Sequence, residues 1–158
     1  MAHVLNQDAP LFSRVGGEQW KHNLINFNSL YTLKTLNYHV QELYANNYGA
    51  KYLFVDAPEK DGIFTSVTTD DEYIYVKACN VNRKSEEYEL EIKDTALCNK
   101  ATLTELYCND DELVNTLDYS NKPVEKVVPI ESEIAIEGGI KITLKPRSVN
   151  VIKVKIEK

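Results

Sequence analysis

Apolar and polar residues alternate along much of the chain beyond residue 60. In Tyr88-Glu89-Leu90-Glu91-Ile92-Lys93 every second side chain is apolar and the rest are charged. The runs Ile140-Lys141-Ile142-Thr143-Leu144 and Val151-Ile152-Lys153-Val154-Lys155-Ile156 repeat that two-residue period. A strand places successive side chains on opposite faces, so each run predicts a strand with one wet face and one dry face. Tyr73 to Cys79 is rich in β-formers, and Ile63 to Thr68, Thr102 to Tyr107 and Glu133 to Ile136 are shorter candidates. Turn signals separate them: Asn82-Arg83-Lys84-Ser85, Gly138-Gly139 and Lys145-Pro146-Arg147-Ser148. Short strands spaced in this way predict an antiparallel β-sandwich.

The first fifty residues follow a different period. From Tyr38 to Tyr48, Tyr38, Val40, Leu43, Tyr44 and Tyr48 fall at near-helical spacing, which predicts a helix of about three turns. Asn37 is the expected N-cap, and Gly49 the expected left-handed residue after the last turn. Leu24, Ile25 and Phe27 suggest a short buried strand ahead of a loop from Asn28 to Thr35. Strand, loop and helix make one β/α unit, which cannot bury both of its faces alone. Charge divides the chain at the same place. Residues 1–50 hold three basic and three acidic side chains, leaving 15 basic and 21 acidic ones, and the whole net charge of −6, to residues 51–158. The expected organisation is therefore a β/α segment over residues 1–50 and a sandwich over residues 51–158. Between Asn109 and Pro129 five acidic residues and two prolines mark a long excursion, expected to run across the sandwich surface. Long excursions are often functional or hold down a neighbour.

With 158 residues the chain can form one ordinary compact domain, and a complete (β/α)8 barrel of about 250 residues does not fit. The acidic balance argues against nucleic acid as a partner. No apolar run is long enough for a membrane helix, and residues 1–20 lack a basic n-region followed by an apolar h-region. Cys79, Cys98 and Cys108 are an odd number without CxxC or Cys/His ligand spacing, so neither structural zinc nor a disulfide framework is expected. Reduced thiols favour a reducing, cytoplasmic compartment. No cofactor or metal is implied.

The residues that could carry chemistry are few. Among His3, His22 and His39, the last falls on the predicted helix, where partly exposed packing is expected. His22 stands in a polar-aromatic stretch with Trp20 and Asn23, and these three are the candidate substrate contacts. A glycosidase needs two carboxyls across a pocket, one of them kept protonated. Glu86-Glu87-Glu89-Glu91 reads instead as a solvated strand face, and Asp110-Asp111-Glu112 as an acidic loop without EF-hand spacing. No catalytic residue is assigned. Trp20 and the ten tyrosines could offer sugar-stacking rings, the basis of an alternative reading as a carbohydrate-binding β-sandwich module.

Several segments, in order, resemble the C-terminal region of α-L-arabinofuranosidases of glycoside hydrolase family 51. They are Ala9-Pro10-Leu11-Phe12, Trp20 to Asn28, and Asn37-Tyr38-His39-Val40-Gln41-Glu42-Leu43-Tyr44-Ala45-Asn46-Asn47-Tyr48-Gly49. Further on come Val76-Lys77-Ala78-Cys79-Asn80, Asn115-Thr116 with Val127-Val128-Pro129-Ile130-Glu131-Ser132, and Leu144-Lys145-Pro146-Arg147-Ser148-Val149. Thr35-Leu36 departs from the small-residue/proline pair usual before the helix. The resemblance implies a parent enzyme with a catalytic (β/α)8 barrel followed by a jelly-roll-like sandwich. Such an enzyme removes non-reducing terminal α-L-arabinofuranosyl units from arabinose-containing poly- and oligosaccharides with retention. Residues 1–50 would be the last barrel unit. The two catalytic glutamates would lie on earlier barrel strands, outside this chain, so the chain alone is expected to be inactive. Its expected partners are the upstream barrel and possible further copies of itself in a homo-oligomer.

Overall fold

The computed structural model describes residues 5–7, 24–27, 30–56, 60–108, 110, 113–117, 122–137 and 139–157. They belong to two compact units: Met1–Gln41 with Asp110–Val128, and Glu42–Asn109 with Pro129–Lys158.

The second unit is an antiparallel β-sandwich. Its larger sheet contains β4 (Lys51–Leu53), β5 (Ile63–Thr69), β6 (Tyr73–Asn80), β8 (Leu97–Tyr107), β11 (Ile130–Ala135) and β13 (Ser148–Ile156), in the order β11-β8-β13-β6-β5-β4. The smaller sheet pairs β7 (Glu86–Leu90) with β12 (Ile140–Leu144). The mainly β sandwich expected from the alternation, jelly-roll-like by the resemblance, is present, divided six strands to two among the described residues. Asn82–Ser85 and Lys145–Arg147 carry the chain from one sheet to the other, so neither joins a hairpin.

Register explains the core. Ile152 on β13 stands between Val76 on β6 and Leu103 on β8, and Val154 stands between Ile74 and Ala101. All six belong to one buried cluster with Val67, Ile136 and Ile140. Tyr88, Leu90 and Ile142 close it from the smaller sheet. Burying one Val or Ile side chain contributes about 1.5–3 kcal/mol, so this layer carries much of the unit's stability.

The expected one-sided wetness holds for β12, where Lys141 and Thr143 are exposed while Ile140 and Leu144 are buried. It fails for the central strands. Val151 lies on the lysine-bearing face of β13 yet is 1% exposed, and Tyr75 on the neighbouring face of β6 is 7% exposed. On this face Lys153 lies over the Tyr73 and Tyr75 rings, a covering that alternation alone does not reveal.

In the first unit β1 (Leu5–Gln7) runs parallel to β2 (Ile25–Phe27), and β2 pairs antiparallel with β3 (Thr32–Lys34). β3 lies inside the stretch expected to be a loop. Helix α1 spans Leu36–Asn46 and runs from this unit into the next. It starts and stops earlier than its apolar spacing suggests. Thr35, rather than Asn37, is the cap: its hydroxyl accepts from Tyr38 N at 3.4 Å and donates to Leu24 O at 2.8 Å. At the other end Asn47 donates to Leu43 O at 2.9 Å. Gly49 lacks the positive φ expected of it. Its role is close approach, since a Cβ there would lie 2.0 Å from the Thr69 carbonyl carbon.

Candidate functional site

The candidate substrate contacts Trp20, His22 and Asn23 lie outside the described residues. What the first unit does display is a set of bonds converging on Lys34. The end of β3 pairs with β2 through Ile25 opposite Lys34, and Thr35 N donates to Leu24 O at 3.1 Å. The backbone groups of Lys34 are taken from elsewhere. Its N–H donates to Glu125 Oε1 at 3.3 Å, and its carbonyl accepts from Asn115 Nδ2 at 3.2 Å. Asn115 is 8% exposed and also exchanges two bonds with Val127, donating to its carbonyl and accepting from its N–H, both at 2.9 Å. A carboxamide bonded in this way imitates a paired backbone residue and closes the chain from Asn115 to Val127 on itself. Within that closure β9 (Thr116–Leu117) pairs with β10 (Pro123–Val124), and β10 lies beside β3. The Lys34 ammonium completes the arrangement 4.7 Å above the Tyr38 ring of α1.

Asn115, Glu125 and β10 therefore belong with β3 in the first unit, rather than on the sandwich surface where the excursion was expected. Its asparagine and valine had stood out by resemblance; Lys34, Thr35 and Glu125 had not. Only Thr35 carried a usable signal, as a capping residue directly ahead of a helical run.

In the sandwich the face of β6 opposite the core carries Tyr73, Tyr75, Lys77 and Cys79. The Tyr44 hydroxyl lies 2.9 Å from Cys79 Sγ, and Lys77 sits 4.8 Å over the Tyr44 ring while donating to Tyr44 O at 3.2 Å. Burial, with the Cys79 bond, holds the Tyr44 phenol well above its ordinary pKa, and burial lowers that of Lys77. Lys153 stands 4.0 Å over Tyr73. Tyr75 donates to Asp70 Oδ2 at 2.9 Å, and burial together with that bond raises its pKa to about 12. Asp70 is held below the usual carboxylate range by N–H bonds from Glu72 and Tyr73. Glu86 is likewise held low, by the Lys60 ammonium 2.8 Å away.

A general acid needs its carboxyl pushed the other way, so neither Asp70 nor Glu86 suits that role. Glu89 and Glu133 are exposed and pair with Lys141 and Lys100, as expected of solvated strand faces. His39 departs from its expectation: it is buried, 5% exposed, with its ring edge-on to Tyr38. Cys79, Cys98 and Cys108 are half-buried. Among the described residues no cluster of three His, Cys, Asp or Glu side chains could hold a metal ion, and no helix is long and apolar enough to cross a membrane.

Within the sandwich Asp70 braces a turn and Glu86 a strand. The chain belongs to the α-L-arabinofuranosidase C-terminal domain family, whose profile matches residues 6–148. Among solved structures it is similar to the arabinose-bound α-L-arabinofuranosidase MgGH51, with TM-score 0.82 and 21% identity over 99% of this chain and 24% of that one. It is also similar to the α-L-arabinofuranosidase from Thermotoga maritima in its arabinose complex, with TM-score 0.70 and 19% identity over 84% and 31%. A family 30 xylanase from Clostridium acetobutylicum, Xyn30A, has TM-score 0.59 and 15% identity over 88% and 32%. The chain thus spans between about a quarter and a third of the length of these proteins. No curated protein matches it in sequence.

Proposed function

We propose that the chain is the C-terminal structural part of a larger glycoside hydrolase that removes non-reducing terminal α-L-arabinofuranosyl residues from arabinose-containing poly- and oligosaccharides. The observation that carries this reading is the family match over residues 6–148, in a chain whose length is 24% of the arabinofuranosidase it resembles in fold. The remainder of such an enzyme supplies the barrel and both glutamates. In a retaining enzyme these carboxyls stand about 5–5.5 Å apart, one as acid/base and one as nucleophile.

In this reading residues 1–50 continue the barrel and residues 51–158, apart from the excursion over residues 110–128, form the sandwich. The parallel pairing of β1 with β2 supports the first assignment, because barrel strands are parallel. Trp20, His22 and Asn23 precede β2 and remain candidate substrate contacts. An odd count of three cysteines without a disulfide pattern supports a cytoplasmic site, and homo-oligomers of the parent belong to the same reading.

The test is the mass of the native gene product. A polypeptide longer than the 18.0 kDa chain by about 250 residues or more is expected, enough for a barrel. A native product of 18.0 kDa would overturn the proposal.

A further inference from the structure

β3 is an edge of its three-stranded sheet. Exposed edges are normally covered or blunted. Here the covering chain comes from more than eighty positions away, and it takes both backbone groups of one residue, Lys34. We propose that residues 113–117 and 122–128 form a strap that holds the base of the β2–β3 pair at Lys34, with Asn115 as its positioning residue.

Three observations carry this. Asn115 is nearly buried and spends its carboxamide on Val127 twice and on Lys34 once, so one side chain both closes the strap and fastens it. Glu125 from the other limb of the strap takes the Lys34 N–H, making the grip two-sided. Lys34 is in turn fixed to β2 through its register with Ile25 and to α1 through the Tyr38 ring, so the strap bears on all three elements.

The consequence for chemistry rests on the proposed function. Active sites of (β/α)8 barrels sit at the C-terminal ends of the strands. β2 runs from Ile25 to Phe27, so the residues that follow it would border the substrate, while Lys34, opposite Ile25, marks the base of the hairpin. The strap holds that base. Its loss should loosen substrate binding without removing the reacting carboxyls, which lie on other strands. Displacements of about 1 Å can be costly in an active site.

Two arms test the strap and keep it separate from the enzymatic reading. In the 158-residue chain, amide hydrogen exchange is compared between wild type, Asn115→Ala and Glu125→Ala. Asn115→Ala should speed exchange at Val127, Lys34 and Thr35 at least tenfold and leave Val76 and Ile152 in the sandwich unchanged. Glu125→Ala removes an exposed side chain that the fold does not need, and should speed Lys34 alone. Unchanged Lys34 and Thr35 exchange in both variants would overturn the strap, whatever the enzyme does. In the native full-length product, Asn115→Ala should raise KM for an aryl α-L-arabinofuranoside at least fivefold while kcat stays within about threefold. Equal KM values would overturn the positioning role even if the exchange arm succeeds. A wild-type product without arabinofuranosidase activity would overturn the enzymatic reading and leave the exchange result standing.

Discussion

The Asn80 carboxamide donates to the Leu144 carbonyl 3.2 Å away, joining the larger sheet to the smaller one at one end of the sandwich. The same Nδ2 lies 3.0 Å from Lys145 O and 2.9 Å from Lys84 O, and Oδ1 accepts from Asn82 N at 2.9 Å. Two of the inter-sheet connections, β6 to β7 and β12 to β13, are thereby pinned to one residue that is 1% exposed. Ser148 and Asn150 continue the polar end, with Asn150 Nδ2 donating to Ala78 O and to Ser148 Oγ.

Truncating Asn80 would remove the side-chain partner of Leu144 O, in a buried bond, and of Lys84 O and Asn82 N in part-buried ones. Each such group costs about 1–3 kcal/mol, and relaxation recovers part of that. Asn80→Ala should therefore lower unfolding free energy by about 2–4 kcal/mol, read as a drop in urea midpoint at unchanged slope. A loss below about 0.5 kcal/mol would show that the two connections hold without it.

Gly49 follows α1 and donates to Thr68 Oγ1 at 3.1 Å, pressed against the backbone of Thr69 and Asp70. The obstacle is main chain, which cannot swing aside as a flexible side chain would. Gly49→Ala should destabilise the sandwich by about 1–3 kcal/mol, as overpacking does. Ordinary C′ glycine logic predicts the same sign, but only this geometry predicts that Gly49→Asn is worse than Gly49→Ala; thermal melts of the two variants separate the explanations.

The turn between β5 and β6 should give the sandwich a pH dependence at both ends. Asp70 accepts from Glu72 N at 2.8 Å and Tyr73 N at 2.7 Å, so its folded pKa lies below the unfolded value of about 3.9. The stabilisation is present above that value and is lost as pH falls through the lower, folded one. Tyr75 is shifted upward to about 12, so its contribution is present below the unfolded value of about 10 and is lost as pH rises through about 12. Asp70→Asn keeps an oxygen for the two N–H groups but removes the charge. Its urea midpoint should fall less than that of wild type on going from pH about 4 to about 2. Parallel falls would mean that Asp70 is not the group responsible.

The sequence made the sandwich legible because its solvated strands alternate: β12 matches its predicted residues from Ile140 to Leu144. The strand over Leu97–Tyr107 was detected only from Thr102, since Asn99 and Lys100 break the apolar pattern while the backbone goes on pairing. β3 was missed because three residues, Thr32 to Lys34, contain one buried apolar side chain and cannot display a period. The strap could be read only as acidic and proline-punctuated. What makes it a strap is a set of bonds between Asn115, Glu125 and Lys34, and pairings across such separations leave no local trace in a single sequence.

The most direct test of the central claim is hydrolysis of an aryl α-L-arabinofuranoside, measured side by side for the 158-residue chain and the native gene product. Turnover is predicted for the longer polypeptide alone, with the chain indistinguishable from buffer. Steady turnover by the purified chain, or none by the native product, would contradict it.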